Sequence, residues 1–228
     1  MENEINEQNE VTQFDVSEDS SRTRLFKAAF KIGMWAFAFS IAAEWSEIRE
    51  LIGREGSFLV RIVGLIPSWL YSMVAVTAFA YLLYGLRNYI LKYVIPQGAK
   101  LMINIMMLAA AVDIVIELIW GLTNDVGMST LKTYAIIYGL IFAAGGFSFI
   151  KVVKNSLAYS FIAYGVLYIA SIFFIDAMES ASDVGSLILT LLLCQGIAMT
   201  TYVILTAQIA TYLGVDLKKK KDVEENAE

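Results

Sequence analysis

Six runs of about 20 predominantly apolar residues follow one another along this chain, and an α-helix needs a run of that length to cross the hydrocarbon core of a bilayer. Only 17% of the residues are charged, against roughly 25% in a soluble domain. The sequence therefore predicts an all-α, polytopic membrane helix bundle with about six transmembrane helices. The predicted spans are residues 25–48, 68–86, 101–122, 131–150, 157–175 and 184–213.

The segments around these spans differ from them in composition. Residues 1–21 carry seven carboxylates and no basic group, which is typical of a disordered acidic tail. Residues 22–214 form the predicted membrane domain, and within it residues 49–66 alternate charged and apolar side chains, a pattern that favours a helix lying on the membrane surface. Residues 215–228 form a charged C-terminal tail.

The basic residues predict the orientation of the bundle. With six spans, thirteen of the 17 lysines and arginines lie on the side of the two termini. Cytoplasmic loops close to membrane spans are enriched in these residues, so both termini are predicted to be cytoplasmic, with the protein in a bacterial inner membrane. The run Lys218, Lys219, Lys220 and Lys221 is expected to bind anionic lipid headgroups. We expect no nucleic-acid partner from so small a basic patch.

Two carboxylates in the third span are the most unusual feature of the predicted bundle. Asp113 lies near the middle of the span and Glu117 follows one helical turn later, on the same face as Met106 and Ala110. An ionised carboxylate in hydrocarbon costs at least ~2.5 kcal/mol on insertion scales. This face must therefore point into the bundle, into a subunit interface or into a wet cavity.

A second pair of carboxylates, Glu44 and Glu47, lies at the outer end of the first span. Together with Asp113 and Glu117 it gives a set of candidate ion or proton sites, because intramembrane carboxylates can share a proton or coordinate a hard cation. The structural alternative is that the acids form hydrogen bonds to Asn, Thr, Tyr or Gln side chains of neighbouring helices, or pair with a basic residue of another subunit.

The residue types that the sequence lacks exclude several kinds of catalytic and cofactor chemistry. The chain contains no histidine and one cysteine, so histidine-held haem or zinc and Ser-His catalysis lack their essential group. We expect no metal centre, no cofactor and no enzymatic activity.

Small residues in two spans predict close contacts between helices. Ala135, Gly139, Ala143 and Gly146 in the fourth span, and Cys194, Ala198, Thr201 and Gln208 in the sixth, are the predicted packing positions. Membrane lipids and either copies of the same chain or other membrane subunits are the expected partners.

These features leave three functional hypotheses. The first is a small, oligomeric proton or cation channel, or an ion-coupled transporter, that uses the intramembrane carboxylates. The second is a non-catalytic structural or assembly subunit of a larger membrane complex. The third is a lipid-modifying membrane enzyme or a pore-forming defence protein.

Overall fold

The computed structural model of the chain describes residues 20–51, 62–94, 96–123, 128–150, 152–179 and 184–215. Within these ranges the chain forms six long helices, each long and apolar enough to cross a membrane. The predicted all-helical fold with six such helices is confirmed. The helices are α1 (Ser20–Leu51), α2 (Ser68–Tyr93), α3 (Gln97–Thr123), α4 (Met128–Phe149), α5 (Asn155–Glu179) and α6 (Val184–Tyr212).

Several helices extend beyond the predicted spans. The second span was expected to end at residue 86, but α2 continues through Arg87 and Lys92 to Tyr93. Long basic side chains can hold their charged ends away from apolar surroundings while their aliphatic stems pack along a helix, so these residues do not end it. Val94 then takes an extended conformation, two residues before Pro96, a residue that disfavours helix in the position before it.

Some predicted segments lie outside the described residues. They comprise residues 1–19 of the acidic tail, residues 52–61 of the predicted surface segment, and the run from Lys218 to Lys221.

The bundle is built around α2. Consecutive helices pack against each other along the chain, and α6 returns to contact both α1 and α2. Large side chains of α2, including Leu82, Leu83 and Leu86, are fully buried and meet Ile103 and Met106 of α3 in one continuous core. The alternation of helix directions places the ends of α1 and α3 beside the beginnings of α2, α4 and α6.

The tightest contact between helices joins α4 and α5. A Cβ atom added at Gly139 would lie 2.5 Å from Ile169 Cγ1 and 2.6 Å from the carbonyl oxygen of Gly165. One added at Gly146 would lie 2.7 Å from the carbonyl oxygen of Ala158. The two backbones approach this closely only because side chains are absent at the contact. The other two small residues of the predicted α4 set, Ala135 and Ala143, are also buried.

The predicted packing residues of α6 have less uniform surroundings. Cys194 is half-buried, whereas Ala198 is exposed in this single chain. The Thr201 hydroxyl donates to the carbonyl oxygen of Ile197 in its own helix, at 2.9 Å. Gln208 accepts a 3.2 Å hydrogen bond from the Ser156 hydroxyl of α5. The row of contacts along α6 is therefore interrupted at Ala198.

The substitution Gly139→Ala tests the backbone contact between α4 and α5. We expect it to lower the free energy of unfolding by about 1–3 kcal/mol, the usual effect of overpacking a filled site. Gly196→Ala in α6 is the matched control, because its added Cβ would meet nothing within 4 Å and alanine favours a helix by up to about 1 kcal/mol over glycine. Thermal melting of the detergent-purified variants measures both effects, and equal melting temperatures would contradict the close contact.

Candidate functional site

Asp113 is the buried carboxylate among the described residues, with only 7% of its surface exposed. Helix α3 directs it toward α4, where the Tyr134 hydroxyl donates a hydrogen bond to Asp113 Oδ1 at 2.5 Å. Met106 and Ala110, which the sequence placed on the same face, are fully buried as well. The face that carries Asp113 therefore points into the bundle and not outward.

Four tyrosines surround this carboxyl group: Tyr134 and Tyr138 of α4, and Tyr164 and Tyr168 of α5. We call them the tyrosine cluster. In each helix the two residues are four positions apart and so share one face. The ring centroids of Tyr138 and Tyr168 are 4.6 Å apart, and those of Tyr164 and Tyr168 are 5.8 Å apart. All four side chains lie close enough to Asp113 to interact with its charge.

The hydroxyl group of Tyr138 has an unusual environment. Tyr138 is 1% exposed. Its hydroxyl makes no well-aligned hydrogen bond within the described part of the chain. It is nevertheless a near neighbour of the Asp113 carboxyl and of Tyr164. A ligand that reaches the Asp113 carboxyl would therefore also meet this hydroxyl.

Glu117 extends the acidic region from Asp113 toward the end of α3. Its side chain is half-buried, and the Ser72 hydroxyl of α2 is its hydrogen-bonding neighbour. The charges of both Asp113 and Glu44 act on its carboxyl group. Three of the four predicted acidic residues, from α1 and α3, thus belong to one electrostatically coupled group.

Glu44 is bound to α6. Gln195 Nε2 donates a short hydrogen bond to the Glu44 carboxylate, and Gln195 Oε1 accepts one from Trp45 Nε1 at 2.7 Å. Gln195 thereby joins two consecutive residues of α1. Glu47, the fourth predicted acid, lies in α1, but its side chain is outside the described residues.

In the part of the chain that the structure describes, no lysine or arginine pairs with Asp113 or Glu117. An ion pair between Lys132 and Asp176, with 2.6 Å between the charged atoms, joins α4 to α5 away from this region. The described residues also contain no group of three or more His, Cys, Asp or Glu side chains that could hold a metal ion. Among the described residues, hydroxyl groups are therefore the neighbours of these two carboxyls: Tyr134 at Asp113 and Ser72 at Glu117.

The tyrosine cluster was missed in the sequence, although a signal for it is present. Two tyrosines four residues apart occur in each of two successive spans, and a short connection makes those spans antiparallel neighbours. That pattern could have predicted an aromatic, hydroxyl-bearing surface between α4 and α5.

Comparisons with known proteins add no relative to this description. No protein-family model matches the chain, and neither the curated proteins nor the solved structures contain a significant match to it.

A double-mutant cycle on Asp113→Asn and Tyr134→Phe tests the central hydrogen bond. We expect Tyr134→Phe alone to lower the free energy of unfolding by about 0.6–1.7 kcal/mol, the range for side-chain hydrogen bonds between membrane helices. In the Asp113→Asn background the same change should cost less, because the charged acceptor is gone. Thermal unfolding in detergent measures both steps. Tyr159→Phe in α5 is the control, since Tyr159 is exposed, and strictly additive losses would contradict the bond.

Proposed function

We propose that this is a multi-pass membrane protein that crosses the bilayer six times. Six long apolar helices support this proposal, because exposed apolar surface of this extent is compatible with lipid and not with water. The distribution of lysine and arginine supports cytoplasmic termini. A bacterial inner membrane is the compartment that fits this arrangement.

Its function is proposed to be ion transport, by a proton- or cation-coupled transporter or channel centred on Asp113 and Glu117. The observation that carries the proposal is a carboxyl group 7% exposed and bonded to a tyrosine hydroxyl, with no basic partner in the described residues. Such a group in an apolar bundle must hold a proton, bind a cation or be wetted. Polar groups of this kind commonly mark ion pathways in membrane proteins.

A second function is favoured by α6, namely a structural or assembly subunit of a larger membrane complex. In residues 185–201 no described side chain is buried, although the segment includes the small residues Gly196 and Ala198. A Cβ at Gly196 would meet nothing within 4 Å. Small residues on an open helix face allow another membrane helix to approach closely, so this half of α6 is the candidate docking surface. Both functions are proposed to involve no chemistry on a substrate.

A flux assay in proteoliposomes tests the transport function. We expect the wild-type protein to dissipate an imposed proton or alkali-cation gradient, and Asp113→Asn to reduce the rate at least about 100-fold, the lower range for loss of a proton-transferring group. Glu117→Gln should give a smaller loss, because Glu117 is less buried. Asp176→Asn is the control acid, since Asp176 is exposed. Stable wild-type protein that carries neither ion would rule out this function.

The assembly function predicts a different outcome for a bulky residue on α6. Gly196→Trp should leave the fold intact, because the space beside Gly196 is open, but should reduce the mass of the purified complex by blocking helix contact. Light scattering after size-exclusion chromatography measures that mass. An unchanged mass together with an unchanged melting temperature would argue against α6 as a docking surface.

A further inference from the structure

Among the described residues, the acidic side chains that neighbour Asp113 continue toward one end of the bundle. In that direction lie Glu117 with Ser72, and then Glu44 with Gln195. We call this region the acidic half. It comprises the ends of α1 and α3 and the beginnings of α2 and α6, so four helices contribute a polar group to it.

The opposite direction is filled by apolar side chains. Met106 lies two turns before Asp113 in α3, and its sulfur packs directly against Gly145 of α4. Phe142 is fully buried, with its ring centroid 5.8 Å from that of Phe79 and 6.2 Å from that of Phe161. We call these four large side chains, Phe79, Met106, Phe142 and Phe161, the apolar plug. None of them is more than 2% exposed.

Two hydroxyl groups of α6 on the plug side, those of Tyr202 and Thr206, are bound to backbone. Tyr202 of α6 donates to the carbonyl oxygen of Ala75 at 2.9 Å. Thr206 donates to the carbonyl oxygen of Tyr202 at 2.6 Å. Neither residue carries a carboxyl group, and each hydroxyl donates its proton within the bundle. They therefore do not continue the acidic group past the plug.

We propose that protons reach Asp113 only through the acidic half, past Glu44 and Glu117, and that the apolar plug closes the other half of the bundle. This inference rests on the proposed ion-binding role of Asp113. The Tyr138 hydroxyl is buried beside that carboxyl group and makes no well-aligned hydrogen bond within the described residues, and it is the second feature that fits a proton-bearing ligand such as hydronium. In the exchange step, hydronium gives its proton to a carboxylate, leaving water and a neutral carboxylic acid, and the reverse step restores both.

The titratable groups that face Asp113 are Glu117 on its own helix and the four members of the tyrosine cluster on α4 and α5. Glu117 in turn faces Glu44 of α1. Proton uptake at Asp113 is consequently coupled to two other acids, both on the acidic side. Access from one side at a time requires transport by alternating access and not through a continuous pore.

Cysteine accessibility tests this route without requiring any transport. The native Cys194 is replaced by alanine, and either Ser72→Cys or Ala110→Cys is added. Ser72 lies beside Glu117, whereas Ala110 is fully buried on the plug side of Asp113. An impermeant cationic methanethiosulfonate is added to one side of proteoliposomes whose orientation is known from protease cleavage of the C-terminal tail. Mass spectrometry measures the labelling.

We expect reagent added on the acidic side to label Ser72→Cys at least about tenfold faster than it labels Ala110→Cys, a barrier difference of about 1.4 kcal/mol. Reagent added on the other side should label neither cysteine. Met106→Ala, combined with Ala110→Cys, should allow labelling from the plug side, because it removes the side chain that fills the space beside Gly145. Melting temperatures establish that each variant is folded.

Labelling of Ala110→Cys from the plug side with Met106 in place would overturn the proposal, as would a folded Ser72→Cys variant that is inert from the acidic side. These outcomes are separate from failure of the transport function. One-sided labelling without flux would contradict ion transport while supporting the asymmetric access, and flux with two-sided labelling would contradict only the access route.

Discussion

The structure depends on how a carboxyl group is accommodated inside an apolar helix bundle. Asp113 is held without a basic partner among the described residues, and the Tyr134 hydroxyl supplies its bond instead. A charged acceptor forms a stronger hydrogen bond than a neutral one, and the surrounding low dielectric strengthens it further. The same low dielectric makes the carboxylate costly if it loses that donor. The positions of α3 and α4 are therefore coupled to the state of one side chain.

The glycine contact between α4 and α5 explains why so many hydroxyl groups meet at this carboxyl. Gly139 packs against Gly165 with no side chain between the backbones, and Tyr138 and Tyr164 are the residues immediately before these glycines in their helices. Close approach of the backbones brings the rings of α5 alongside those of α4. Without it, the hydroxyls of α5 would lie farther from α3. The glycine contact between α4 and α5 thus determines which hydroxyl groups lie near Asp113.

The sequence predicted the six apolar helices because the length and composition of a run are local properties. It also predicted that Asp113 shares a face with Met106, because residues seven apart lie on one side of a helix. The partners of these residues could not be predicted in the same way. Tyr134 and Gln195 are distant from Asp113 and Glu44 along the chain, and their contacts depend on how the helices rotate and cross. Helices also continue past the predicted spans where basic residues, such as Arg87, lie within a helix.

The asymmetry of the bundle constrains how access to Asp113 could change. The α4–α5 pair is locked by backbone contact, so it is poorly suited to move as two separate helices. Helix α6 is different: no described side chain in residues 185–201 is buried, and Gln195 links it to Glu44. Breaking one such bond costs about 1.5–3 kcal/mol when one partner is charged, far less than separating a packed core. Protonation of Glu44 would weaken the same bond, so the acid that lines the route also holds the helix beside it.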